Sequence, residues 1–200
     1  MLPLLNLARL IDRMNTAIGR SAIWLVLAAV LISSVNAVIR KAFNYSSNAF
    51  LEMQWYLFAA VFLLCAPYAL LKNEHVRIDV VSGRFSARGR IRMELFGTLL
   101  FLLPISVIVL YFSWGVFLES YVSGEMSPNA GGLPLWPARL LVPVGFVLLI
   151  LQGVSQAIKC IAFLRGVGAD PLEKAQKPSA EEELAAAIRQ SQRNDGMECR

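Results

Sequence analysis

The sequence predicts an all-α membrane protein. It has four transmembrane helices, an N-terminal in-plane amphipathic helix, and a short interfacial helix between spans two and three. Three observations carry that expectation. Hydrophobic residues make up 56% of the 200-residue chain and charged ones 16%, against roughly 45–50% and about 25% in soluble domains. A soluble chain of this length cannot hide so much apolar surface. The apolar residues also gather into four runs of near-spanning length, and the Lys and Arg residues gather into alternate connections between them.

The first twenty residues form the first unit. Leu4, Leu7, Ile11, Met14 and Ile18 recur at spacings of three and four, with Asn6, Arg9, Arg13 and Arg20 elsewhere on the wheel. An apolar stripe with a basic polar face suits a helix lying in the plane of the headgroups, here residues 1–20. A secretory signal is the competing reading. The apolar run that follows is too long for a typical signal core, and the basic stretch before it is itself amphipathic.

The membrane unit covers residues 21–165. Ser21–Ile39 is free of charge and long enough to cross a hydrocarbon core of about 30 Å. The second span, 50–71, confines Glu52 and Gln54 to its first turn. The third, 95–118, is the longest charge-free run, and Pro104 within it is a candidate kink. The fourth, 140–159, closes on Lys159, with Pro137 suited to the first helical position before it. Four such runs in one short chain argue against buried helices of a soluble protein.

Basic residues set the expected orientation. Arg9, Arg13 and Arg20 precede span one. Lys72, Arg77, Arg84, Arg88, Arg90 and Arg92 fill the middle connection, and Lys159, Arg165, Lys174 and Lys177 follow span four. The other connections hold only Arg40 with Lys41, and Arg139. The positive-inside rule then places both termini and the middle connection in the cytoplasm. The loops 41–49 and 119–138 lie outside. The net charge of +5 faces the anionic membrane surface, so phospholipid rather than nucleic acid is the expected counter-charge.

In the middle connection, Val76, Val80, Val81 and Phe85 share a helical face with arginines off it, which predicts a short interfacial helix. The loop from Ser123 to Arg139 is punctuated by Gly and Pro and is not a continuous helix; Trp136 within it suits the headgroup level. Residues 166–200 form a polar tail, largely mobile, where Ser179 and Glu182 make a capping box for a short solvated helix.

Few residues offer chemistry. None of the four runs holds an ionisable residue near its middle, where ion-coupled carriers usually place one. His75 is the only histidine and has no companion set of metal ligands, so no metal or cofactor is expected. Cys65, Cys160 and Cys199 form no paired motif, which leaves a thiol-oxidising enzyme without its cysteines. Ser33, Ser34, Asn36, Gln152 and Gln156 read as interhelical hydrogen-bonding groups. Glu52 and Glu119 sit at the outer ends of spans two and three. There they would pair with Arg40, Lys41 or Arg139, engage a partner's basic residue, or stand in solvent. A small drug exporter would need a carboxylate deeper in the membrane than Glu52. The residues alone therefore describe an accessory subunit or a free-standing structural four-span protein, and not an enzyme.

Glu52 early in span two, then Lys72, Asn73, His75, Val76, Arg77, Ile78 and Asp79 after it, resemble a pattern found in one family. That pattern is a Glu followed by a basic residue, Gly or Asn, and a His-Val-Arg-Val-Asp-like stretch. The run from Glu125 to Arg139, then Pro143 to Phe146 and Gln152, is similar to the same family's approach to its fourth span. The family is the small permease subunit of tripartite ATP-independent periplasmic (TRAP) transporters, and the likeness covers roughly residues 20–165.

The resemblance implies a division of labour. A large permease subunit would hold the substrate and sodium sites and move as an elevator. This chain would pack against that subunit's static scaffold in the bacterial inner membrane. A periplasmic binding protein would deliver an organic acid, with uptake driven by sodium. Glu52, Glu119, Glu125, Trp136 and Arg139 are then candidates for the subunit or binding-protein interface, and His75, Arg77 and Asp79 for an interfacial motif.

Overall fold

A computed structural model describes residues 2–43, 47–73 and 86–167 together with Pro171. Its regular structure is helical: α1 (Leu2–Phe43), α2 (Asn48–Leu71), α3 (Ala87–Gly97), a π turn (Thr98–Leu102), α4 (Leu103–Ser123) and α5 (Trp136–Leu164). Four stretches are long and apolar enough to cross a membrane: α1, α2, the continuous run from α3 through α4, and α5. The expected all-helical, four-span architecture is present. The segment holding the expected interfacial helix (Val76–Phe85) and the tail beyond residue 171 lie outside the described residues.

The boundary expected near residue 20 is not an element boundary. α1 runs unbroken for 42 residues, about 63 Å at 1.5 Å per residue, so the N-terminal segment is continuous with the first span. A heptad seam explains the continuity. Ala8, Asn15, Ala22, Ala29 and Asn36 recur every seventh residue, and all are buried. Ile11, Ile18, Leu25, Ile32 and Ile39 follow them in a second row of the same period, each buried or partly so. Small or amide residues alternate with large aliphatic ones in one phase from residue 8 to residue 39. One face therefore meets the neighbouring helices along the whole length. Leu4, Leu7 and Met14 of the expected apolar stripe remain exposed, and only Ile11 is turned fully inward.

α5 is the hub. In its most apolar stretch 44% is buried, against 11–17% for the other three spans. α1, α2 and α5 pack against one another, and α4 leans on the far side of α5. Small residues make the close approaches possible. A Cβ on Gly145 would stand 2.8 Å from Leu63 Cβ, and one on Gly153 would stand 2.7 Å from a methyl of Leu102.

Pro104, the candidate kink, is the second residue of α4, directly after the π turn, in which the N–H of Leu103 donates to Thr98 O, five residues back. Proline has no N–H for the carbonyl four residues earlier and crowds it. The wider π register takes up that misfit before the proline is reached.

Candidate functional sites at the two ends of the bundle

At one end, which carries the α4–α5 loop and the start of α2, three side chains of α2 reach into the loop. They are Asn48, Glu52 and Tyr56, spaced four apart and so stacked on one face. Asn48 Nδ2 donates to Ala130 O at 3.0 Å, and the Tyr56 hydroxyl donates to Pro134 O at 3.0 Å. Between them the Glu52 carboxylate is 4% exposed and only accepts. Its Oε2 takes the backbone N–H of Leu133 at 2.7 Å; its Oε1 takes Asn129 Nδ2 at 2.8 Å and the hydroxyl of Ser127.

The loop holds its own shape around that carboxylate. Gly124 ends α4 in the left-handed region at φ 62°, where a side chain would be strained. Ser127 N donates to Leu133 O at 3.0 Å, and Met126 bridges Pro134 in antiparallel fashion. Gly132 passes so close to Ser127 that a Cβ would stand 2.5 Å from Ser127 Cβ. Glu125 and Arg139 form a two-pronged ion pair, Nη2 to Oε1 at 2.7 Å and Nη1 to Oε2 at 2.5 Å, with both partners about a third exposed. Trp136 sets its ring edge against Tyr121, centroids 5.7 Å apart.

Among the described residues Glu52 therefore neither pairs with a basic residue nor stands in solvent, two of the three environments its place in the sequence suggested. Loop amides and a hydroxyl surround it because the loop folds back over the first two turns of α2, which spacing along the chain could not reveal. Glu125 and Arg139 are brought together, and Glu119 stays exposed on α4.

At the opposite end the contacts run from α1 to α5. Asp12 Oδ1 accepts from Ser155 Oγ at 2.7 Å, from Gln152 Nε2 at 3.1 Å and from Lys159 Nζ at 3.1 Å. Its Oδ2 takes Lys159 Nζ at 2.9 Å. Asn15 Nδ2 donates to Gln152 Oε1 at 2.7 Å, so Gln152 links Asn15 to Asp12. Ser155 Oγ also reaches Ala8 O at 3.2 Å. Gln152 thus has the interhelical role expected of it. Gln156 and Asn36 are equally buried, yet Gln156 Nε2 and Asn36 Oδ1 have no hydrogen-bond partner among the described residues.

The same end holds the exit of α2. Asn73 has φ 54°, the left-handed region that a non-glycine residue rarely enters and asparagine tolerates best. Its Nδ2 donates to Pro171 O at 3.0 Å, tying the end of α2 to the segment after α5. His75, Arg77 and Asp79 lie outside the described residues. Among the described residues no group of His, Cys, Asp and Glu could hold a metal ion.

Residues 12–163 match the family described as Tripartite ATP-independent periplasmic transporters, DctQ component. The chain belongs to that family. Neither a curated protein nor a solved structure matches it. As a DctQ component it is a multi-pass membrane subunit of a tripartite transporter, and the matched range extends into α1 as far as Asp12. The Gly-or-Asn position of the family-like stretch, Asn73 here, is where the backbone turns left-handed. Asp12, Asn48, Tyr56, Ser127 and Asn129 did not stand out from the sequence alone. The four-residue spacing of Asn48, Glu52 and Tyr56 was the available signal. Ser127 and Asn129 lie in the family-like run from Glu125 to Arg139, but only the fold of the loop aims them at Glu52.

Proposed function

We propose that this DctQ component is the stationary small subunit of a sodium-coupled secondary transporter for organic acids. It scaffolds a large permease subunit and works with a periplasmic binding protein. The observation that carries the reading is where the charges and their ties lie. Asp12 with Lys159 fastens one end of the bundle, and Glu52 with its loop donors fastens the other. Between them, residues 21–39, 53–71, 103–118 and 140–158 contain no Asp, Glu, Lys, Arg or His. A bundle cross-tied at both ends, with no charged group in between to bind or release an ion, suits a fixed support.

In this reading the protein sits in the bacterial inner membrane with both termini cytoplasmic, basic segments against lipid phosphate, and the loop 124–135 in the periplasm. That loop, shaped by Glu52 and by Glu125 with Arg139, faces the binding protein, with Trp136 at headgroup level. Charge at such a rim governs encounter and salt dependence more than affinity.

Reconstitution tests the proposal. Proteoliposomes holding the large permease, loaded binding protein outside and an inward sodium gradient should take up substrate only when this chain is present. Uptake of equal rate without it, or uptake indifferent to sodium, would refute the reading.

A further inference from the structure

Arg13, Ala17, Arg20 and Trp24 follow one another at spacings of four, three and four residues, so they share one face of α1. That face lies opposite the seam of Ala8, Asn15, Ala22 and Ala29, which packs against α2 and α5. All four residues are exposed, Trp24 at 71%. Leu27 and Leu31, also exposed, continue the same side toward the middle of the span.

The two arginines have no hydrogen bond or ion pair among the described residues. Arg9, by contrast, engages Asn6 Oδ1 at 2.7 Å and Leu5 O at 3.4 Å. Asp12 is the one carboxylate of α1, and it is turned to Lys159, Gln152 and Ser155 on α5. Arg20 stands at the edge of the charge-free run that begins at Ser21. A guanidinium at the border of the hydrocarbon is settled by an anion.

The spacing suits a phosphate. Arg13 and Arg20 are about 10 Å apart along the helix axis, and Ala17 between them presents only a methyl. Two guanidinium forks can close on one phosphate from either side. Trp24, one turn beyond Arg20, carries the ring that favours the boundary between headgroups and hydrocarbon. A free phosphate would use the arginines and leave the indole and the leucines without a role, whereas a phospholipid uses them all. A zwitterionic headgroup brings its own cation to the arginines, and an anionic one does not. We infer that this face of α1 holds one anionic phospholipid, with its phosphate between Arg13 and Arg20 over Ala17 and its acyl chains along Trp24, Leu27 and Leu31. The inference shares with the proposed function only the contact of basic segments with lipid phosphate. It adds a discrete site that the isolated chain itself carries, so failed sodium-driven uptake would leave it standing.

Fluorescence quenching in vesicles tests it. The purified chain is reconstituted in phosphatidylcholine that contains phosphatidylglycerol or phosphatidylcholine with the same brominated acyl chains, which quench an indole on contact. The quenching lost in Trp24→Phe is that of Trp24. Brominated phosphatidylglycerol should occupy the place beside Trp24 about fivefold more readily than its phosphatidylcholine counterpart. Arg13→Gln with Arg20→Gln should erase the preference while helical circular dichroism is unchanged. Ala17→Leu keeps every charge at an exposed position and should weaken the preference severalfold by filling the gap. Arg88→Gln with Arg92→Gln, at two exposed arginines of α3, should leave it intact. Equal quenching of Trp24 by the two lipids overturns the inference. So does a preference that the Arg88 and Arg92 pair lowers as far as the Arg13 and Arg20 pair, because the overall positive field is then the cause. If the Arg13 and Arg20 variant does not fold, Ala17→Leu decides alone: an undiminished preference overturns the site and a reduced one upholds it.

Discussion

The backbone N–H of Leu133 donates to Oε2 of Glu52 at 2.7 Å, joining the returning limb of the α4–α5 loop to the second turn of α2. The other carboxylate oxygen holds Asn129 and Ser127 from the outgoing side. One side chain therefore clasps both limbs of the loop. A carboxylate suits the task because its two oxygens accept several donors at once and it brings no hydrogen of its own.

Glu52→Gln is expected to loosen the loop while leaving the helices formed. An amide keeps one acceptor oxygen and turns an N–H₂ toward groups that are themselves donors, so at least one of Leu133, Ser127 and Asn129 goes unanswered. The thermal midpoint should fall and protease cleavage within 124–135 should quicken, with helical circular dichroism unchanged. Glu52→Asp retains both oxygens on a shorter stem and should fall between wild type and Gln. Cleavage of Glu52→Gln at the wild-type rate would show that the clasp contributes nothing.

At the other end, Asp12→Ala should destabilise the chain by about 1–3 kcal/mol, because Lys159, Gln152 and Ser155 all lose their shared acceptor. Both members of the ion pair are between a fifth and a quarter exposed, which keeps the effect below that of a fully buried pair. Lys159→Ala alone should cost less, since Asp12 keeps two neutral donors. The double substitution should cost less than the sum, and a double-mutant cycle by thermal or chemical unfolding in detergent measures the difference. Strict additivity would mean that the two do not interact.

The spans were legible in the sequence because lipid imposes a length and a composition that no tertiary contact can disguise. Their packing was less so. The stripe of Leu4, Leu7, Ile11, Met14 and Ile18 satisfied the amphipathic rule. The face that packs is instead the seam of Ala8, Asn15, Ala22, Ala29 and Asn36, chosen for closeness of approach rather than for hydrophobicity. In a membrane the apolar face of a helix can point to lipid while the small and polar one points inward. Hydropathy alone therefore divided α1 at its last arginine before the span, Arg20, where the seven-residue period would have carried it through. The loop site was hidden for another reason. Glu52 was marked as a carboxylate at a helix start, but its donors lie in a segment whose path depends on left-handed Gly124 and on the tight passage of Gly132 past Ser127.

The Glu125–Arg139 pair should matter little to stability. With both side chains about a third exposed, Arg139→Gln is expected to cost no more than about 1 kcal/mol, and less as salt is raised. Its effect should surface instead in the salt dependence of binding-protein-stimulated uptake, if the loop faces that protein. A thermal midpoint lowered as far as by Asp12→Ala would contradict the ranking.

Gly145→Ala and Gly153→Ala separate rigid from yielding contacts. At Gly145 the added methyl would stand 2.8 Å from Leu63 Cβ and 3.2 Å from Leu63 O. Neither atom can move without moving α2. That carbonyl also lacks its usual helical donor, because Pro67, four residues on, has no N–H to give it. At Gly153 the nearest atoms are the side-chain methyls of Leu102 and Leu103, at 2.7 and 3.1 Å, which can turn aside. Overpacking a tight interface costs about 1–3 kcal/mol. Gly145→Ala should reach that range and part α5 from α2. Gly153→Ala should fall below it, offset by about 0.5–1 kcal/mol from replacing a helical glycine. Thermal midpoints of the two variants in one detergent decide the order. A larger loss at Gly153 would mean that Leu102, at the end of the π turn, is held more firmly than the backbone of α2.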